Sequence, residues 1–282
     1  MLVAVAQARN RKTSMAVVDF AVRDFIATIT INRPEARNAM SPEVMVRLDD
    51  AWREVRDSAA IRAAILTGTG SQAFCAGADL GLTAPLVTGG RQPENEWDTR
   101  FLKLIRGSEG LFLISRDTVK PVIAAINGHA IAGGMELVMG TDIRVAVPGA
   151  KFGLQEVKWA LFPAGASTVR LPRQMPRAKA IELLLTGDLI EAEEALRLGF
   201  LNYVVPPEQL LDRCREIAGK IVANGPIAVS RIRRSVIECD GHPEAEALAI
   251  EKAHAAAVVA TEDAVEGPRA FMEKRKPVFK GR

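Results

Sequence analysis

This chain has one tyrosine in 282 residues, three cysteines and three histidines. Each shortage removes a class of protein. Cys75, Cys214 and Cys239 are too few and too scattered for a disulfide framework or a zinc site. His129, His242 and His254 show no metal-ligand spacing, so no metal is expected. With Tyr203 as the one tyrosine, no aromatic platform interleaves the cations. A net charge of +3 is also too small for a dedicated nucleic-acid binder. No apolar run approaches the roughly 20 residues needed to cross a bilayer, which argues against a membrane protein. No glycine run ends in the Lys-Ser/Thr of a phosphate loop, and there is no Gly-x-Ser-x-Gly elbow. Thiols used this sparingly fit a reducing, cytoplasmic setting.

What is present is an ordinary globular balance, 48% apolar and 25% charged. The length suggests one large domain plus a smaller appendage. The first fourteen residues hold Arg9, Arg11 and Lys12 without an acid, a faint organelle-presequence pattern. A flexible tail over residues 1–15, ahead of a start at Met15, is the expectation.

Val18, Phe20 and Val22 alternate, Arg23-Asp24 can turn, and Phe25 opens a second run to Ile31, which reads as a β-hairpin. Ser41-Pro42 offers an N-cap with proline at the first helical position. Met45, Leu48, Trp52 and Val55 follow at helical spacing, predicting a helix to about Asp57. Strands are expected over 61–67, 122–126 and 143–146, with glycine turns where strands hand over to helices. Residues 81–97 are rich in Gly, Pro and polar groups and read as a mobile loop. After Pro206-Pro207 the strand signal stops and three or four helices are expected. The expected divisions are a tail to 15, an α/β core over 16–206 and a helical region over 207–282.

Two stretches carry chemistry. In Asn127-Gly128-His129-Ala130-Ile131-Ala132-Gly133-Gly134-Met135-Glu136, small residues let the backbone approach a ligand. Bare N–H groups near Gly133 would open a helix whose dipole favours negative charge. The loop Ala76-Gly77-Ala78-Asp79-Leu80 makes the same case more weakly, and Asp79 there can equally cap a helix. Glu136 and Glu156 add a pair of carboxylates. That is equipment to move a proton beside a carbonyl while holding a negative oxygen. Gly68-Thr69-Gly70-Ser71-Gln72-Ala73 matches a relaxed dinucleotide fingerprint, but no amphipathic helix opens there and no acid follows at the right distance. Cys75 has no histidine partner nearby and reads as a small buried residue.

The strings AFCAGADL, KPVIAAINGHAIAGGMEL, DIRVA, KFGLQEVKWALFPAGAS, LLLTGD, EALRLGFLNYVV and AFMEKRKPVFKGR stand in one order. In that order they resemble the enoyl-CoA hydratase/isomerase (crotonase) superfamily over residues 16–282. The resemblance implies an α/β fold, the crotonase (ClpP-like) spiral of ββα units with an all-helical C-terminal trimerisation region. It implies homotrimers or dimers of trimers and an acyl-CoA thioester substrate. No cofactor is implied, because coenzyme A is part of the substrate. By position, Ala78 and Gly133 match the two oxyanion donors, Glu136 the residue that activates water, and Glu156 the donor to the α-carbon. Both glutamates are kept, which favours an enoyl-CoA hydratase. Arg37 is matched to CoA, better than Arg33, alongside Ala36, Ala76, Asp79 and Leu80. Phe271 and Lys274 match a tail that meets a neighbouring subunit's CoA. The family's pattern has Pro where Gln155 stands, and Gly where Ala132 and Ala164 stand. The rival expectations are Δ3-Δ2 isomerisation or carnitinyl-CoA-type dehydration on this fold, and, from another class, an RNA-binding homologue.

Overall fold

The computed structural model describes residues 11–15, 17–107 and 120–282. The chain opens with an antiparallel meander, β1 (Arg11–Met15), β2 (Val18–Arg23) and β3 (Ile26–Ile31). The flexible tail expected to run to residue 15 is therefore contradicted over Arg11–Met15. Arg11–Met15 pairs with β2, from Arg11 opposite Val22 to Met15 opposite Val18, and residues 1–10 lie outside the described residues. The hairpin turn falls on Asp24-Phe25, one residue later than expected. Arg23 still pairs with Ile26, and both turn residues take positive φ, 51° and 64°, as a two-residue hairpin loop requires.

Helix α1 (Pro42–Asp57) starts and stops where the sequence predicts. Ser41 Oγ accepts the Val44 N–H at 3.3 Å, Pro42 fills the first position, and Met45, Leu48, Trp52 and Val55 are buried. Then come β4 (Ala63–Gly68), β5 (Ala73–Cys75), α2 (Ala84–Thr88), α3 (Glu96–Gly107), β6 (Val122–Ile126), β7 (His129–Ile131) and α4 (Gly133–Gly140). After them follow β8 (Ile143–Ala146), β9 (Lys151–Gly153), α5 (Ser167–Gln174), α6 (Arg177–Thr186), β10 (Ile190–Glu191), α7 (Ala192–Arg197) and β11 (Tyr203–Val204). The larger sheet has the order β1-β2-β3-β4-β6-β8-β11 and the smaller β10-β9-β7-β5. Three successive turns of the chain, opening with β4, β6 and β8, each give one strand to the large sheet, the next to the small one, then helix: a spiral of ββα units. β4 and β6 are buried at every position, reading as unbroken apolar runs because both faces are covered.

Residues 81–97 are not the uniform loop that their Gly and Pro content suggests. Part of the stretch is α2, and Arg91 holds both oxygens of the buried Asp98, at 2.6 and 3.1 Å, while also donating to Leu82 O. This charge-assisted fork keeps the Asp98 carboxyl below the usual range and ties the segment to α3.

Beyond Val204 the described chain is helical: α8 (Leu210–Val222), α9 (Pro226–Glu238), α10 (Glu244–Val259) and α11 (Glu262–Met272). The division expected at 206 does not coincide with a break in packing. Leu210, Cys214, Ile217 and Ala218 of α8 are buried against β4, β6 and β8, so α8 belongs to the core, and the helices that stand off it begin at Pro226. Arg233 fastens α9 to the core through Asp142, at 2.8 and 2.9 Å, and Asp142 also accepts the Val122 N–H.

Candidate active site

β5, β7 and β9 run parallel and adjacent, with Ala73 opposite His129, Cys75 opposite Ala130, Ala130 opposite Phe152 and Ile131 opposite Gly153. Their C-terminal ends therefore emerge together, and the segments 76–80, 132–136 (running into α4) and 154–159 leave from one end of the sheet. The ends of parallel strands in α/β sheets are where ligands bind. Two asparagines fix the other end, where β5 begins. Asn38, fully buried, donates to Thr69 O and Ala73 O, while Asn127 accepts from Gly68 N–H and donates to Gly70 O and Ala73 O.

Ala78 forms a parallel bridge with Met40 in which its neighbours do the pairing. Met40 N–H donates to Gly77 O at 2.8 Å and Asp79 N–H donates to Met40 O at 3.0 Å. The Ala78 N–H consequently faces the other way. Gly133 is the first residue of α4, so its N–H has no acceptor within the helix and lies at the positive end of the dipole. The two loops touch: a Cβ on Gly77, whose φ is 92°, would stand 3.1 Å from Gly133 N. Ala132, just before α4, has φ 51° and ψ −126°, a region that suits glycine and costs another residue on the order of 1–3 kcal/mol. Two hydrogen bonds hold it there, Ala132 N–H to Gly153 O at 2.8 Å and Glu136 N–H to Ala132 O at 3.1 Å.

Glu136 points into the protein from the first turn of α4 and is 3% exposed. Its Oε1 accepts the Gly165 N–H at 2.6 Å and the Ser167 hydroxyl at 2.7 Å. Burial pushes its carboxyl up, and Ser167, Gly165 and the Arg170 charge pull against that. Glu156 opens the 3-10 turn Glu156–Trp159 at the end of β9. Its Oε2 is buried and accepts no hydrogen bond. Burial pushes this carboxyl up to about 7; a backbone hydrogen bond from its own N–H opposes the shift, and the charge of Glu136 adds to it. The structure thus brings together two backbone donors and two carboxylates in unlike surroundings, which can hold an oxyanion and pass protons on either side of it.

Gly165 and Ser167 are the residues the sequence reading missed. A Cβ on Gly165 would collide with the Glu136 carboxyl, at 2.9 Å even from the farther oxygen, so only glycine permits this approach. The available signal was the small-residue run Ala164-Gly165-Ala166-Ser167 leading into a helix, in which Gly165 and Ser167 lie 29 and 31 positions from Glu136.

The remaining expected residues have other contacts. Asp79 accepts from Arg33 at 3.1 Å and from the Gly81 and Leu82 N–H groups, so it shapes its own turn and occupies Arg33. Ala76 donates its N–H to Arg37 O, and Leu80 is exposed. Ala36 ends a 3-10 turn, and Arg37 follows it at φ 54°. The Arg37 side chain lines a cleft of about 370 Å³ with Ser71, Gln72, Gly128, His129 and Gly149, beside the starts of β5 and β7 and so at the end opposite the glutamates. Phe271, 81% exposed, and Lys274, at φ 53°, sit at the end of α11. Cys75 is buried with its thiol pushed up to about 12, an inert group as expected. Among the described residues no cluster of His, Cys, Asp or Glu could hold a metal ion, and no helix is long and apolar enough to cross a membrane.

The family model for enoyl-CoA hydratase/isomerase matches residues 22–282. The chain is 46% identical over 255 residues to the enoyl-CoA hydratase EchA19 of Mycobacterium tuberculosis, covering 90% of this chain and 92% of that protein. It is 38% identical over 254 residues to the crotonyl-CoA hydratase of Syntrophomonas wolfei, covering 90% and 94%. The crystal structure of an enoyl-CoA hydratase from Mycobacterium tuberculosis H37Rv superposes with a TM-score of 0.83 at 39% identity, covering 94% of this chain and 99% of that one. The fold described above is theirs, and this chain belongs to the enoyl-CoA hydratase/isomerase (crotonase) family.

Proposed function

We propose that the chain adds water reversibly to a trans-2-enoyl-CoA, giving the 3-hydroxyacyl-CoA. The observation that carries this is the pair Glu136, buried, and Glu156, half-buried, at one end of the small sheet with unequal hydrogen bonding. The thioester carbonyl accepts from the Ala78 and Gly133 N–H groups, which stabilise the enolate-like oxygen. A single donor of this kind contributes about 3 kcal/mol in other enzymes. Glu136, held by two donors, takes a proton from water as its oxygen attacks the β-carbon. Glu156, with a carboxyl at about 7, gives its proton to the α-carbon. Shuttling one proton for isomerisation needs one carboxylate; two in complementary states favour hydration. No cofactor enters this scheme, since coenzyme A arrives with the substrate. Nucleic acid is a poor fit, because the net charge is only +3 and the one tyrosine, Tyr203, already has the Arg213 guanidinium over its ring, 4.2 Å from the centroid. Buried, unpaired thiols at Cys75 and Cys214 support the cytoplasm as the compartment.

Assay of crotonyl-CoA, longer 2-enoyl-CoAs and 3-enoyl-CoAs side by side tests the reading. Loss of the conjugated enoyl absorbance with formation of 3-hydroxyacyl-CoA is expected. Turnover of 3-enoyl-CoA alone would replace hydration by isomerisation.

Apolar side chains exposed along α9, α10 and α11, among them Val236, Leu248, Val259, Val265 and Phe271, support assembly into trimers or paired trimers. In that assembly Phe271 and Lys274 meet a neighbour's CoA, with Arg37 and Ala36 on the subunit that holds the thioester. Lys274→Ala should raise KM and leave kcat nearly unchanged, because a CoA phosphate is remote from the bonds that change. The effect should shrink with salt, as an exposed ion pair is screened over roughly 8–10 Å. Mixing Lys274→Ala with Glu136→Gln subunits should restore a low-KM site in mixed trimers. No activity beyond that of the parents would put the tail in its own subunit's site or away from CoA.

A further inference from the structure

We propose that Ser167 is a positioning residue that holds Glu136 as the anionic member of the pair, with one oxygen fixed and the other left for the reacting water. The inference rests on the role proposed above for Glu136. Its basis is geometric. Both donors, Gly165 N–H and Ser167 Oγ, converge on the same atom, Oε1, at 2.6 and 2.7 Å. An oxygen that accepts two short hydrogen bonds is a poor place for a proton, so the clamp favours the carboxylate and fixes its plane. Ser167 is itself fully buried and is the first residue of α5, and Arg170, buried one turn later, adds its positive field on the same carboxylate. Glu156 has no equivalent: its Oε2 is buried and unbonded. The Ser167 hydroxyl is therefore part of what makes two chemically identical side chains take opposite roles.

The Gly165 donor is a main-chain group, but the Ser167 donor can be deleted without disturbing the backbone. Ser167→Ala should move the acid limb of the kcat/KM profile for crotonyl-CoA up by about one pH unit, since a hydrogen bond to a charged group is worth roughly that much. The sign follows from the base having to be ionised: with one donor gone, Glu136 holds its proton to a higher pH. Plateau kcat should fall about ten-fold as the carboxylate loses its fixed orientation, with KM within about two-fold. Ser167→Thr keeps the hydroxyl and should keep the acid limb in place, with circular dichroism and oligomeric state checked for both variants. As a second measurement that does not depend on Thr fitting the site, Ser167→Ala placed on Glu136→Gln should add no further loss.

An acid limb that stays put in Ser167→Ala, or an equal loss in both backgrounds, reduces Ser167 to a structural residue and overturns the proposal. Two failures remain separable. If Glu136→Gln is inactive and Ser167→Ala is silent, only this inference falls. If Glu136→Gln hydrates at the wild-type rate, the role of Glu136 falls, and that of Ser167 with it.

Discussion

Glu136→Gln and Glu156→Gln are each expected to lower kcat by ~10²–10⁴-fold while changing CoA binding little, because a proton-transferring carboxylate acts on the transition state rather than on the bound ground state. Gln keeps the shape and much of the hydrogen bonding of Glu, so the loss isolates the ionisable group. Single-turnover kinetics with crotonyl-CoA, together with the Kd of a non-reactive CoA thioester, separate the two quantities. A variant that hydrates at nearly the wild-type rate would remove that residue from the site.

Glu156→Gln should also change stability, and with a definite pH dependence. The Glu156 carboxyl is raised to about 7 in the folded chain from an ordinary 4.5. A raised group contributes its stability fully below pH 4.5 and loses it as the pH climbs through about 7, where a charge must form in a poorly solvated place. Gln carries no such charge. The variant should therefore match wild type near pH 4 and exceed it at pH 8, by roughly 1–2 kcal/mol after allowance for the residue's partial solvent contact. Urea melts at the two pH values measure the difference. An advantage that is equal at both would show that packing, not charge, is responsible. The site thus costs the fold something at the pH where it works, as strained or desolvated functional groups commonly do.

Gly165→Ala should be nearly as damaging to catalysis and much milder for the fold. The added Cβ collides with the Glu136 carboxyl, not with backbone, so the side chain must swing away and abandon the Ser167 and Gly165 donors. A displacement of about 1 Å in a catalytic group can cost 10²-fold, so kcat should drop about 100-fold. The melting temperature should move by only a few degrees, since the moved atoms are the end of a flexible chain. A folded Gly165→Ala enzyme with wild-type kcat would mean that the Glu136 carboxyl is placed by something other than this close approach.

The sequence was legible wherever the governing interaction is local. Ser41, Pro42 and the spacing from Met45 to Val55 set the bounds of α1, because capping and helical periodicity are properties of neighbouring residues. The apolar runs of β4, β6 and β8 and the glycines before α4 were visible for the same reason. The departures also have local causes. The hairpin turn moved one residue because strand pairing carried Arg23 opposite Ile26, and residues 81–97 were stiffened by a fork between Arg91 and Asp98 that composition alone does not reveal.

By itself, then, the sequence determined the alternation of strands and helices, the presence of two glutamates and two small-residue loops, and the family. Only the tertiary structure decided that α8 packs into the core, that Arg33 is taken by Asp79 while Arg37 faces another cleft, and that Gly165 and Ser167 close on Glu136. The physical reason is the same in each case. Packing, hydrogen-bond partners and desolvation depend on distances between residues far apart in the sequence, 29 and 31 positions for the Glu136 clamp and 46 for Arg33 and Asp79, and the chain fixes those distances only when both sheets are assembled.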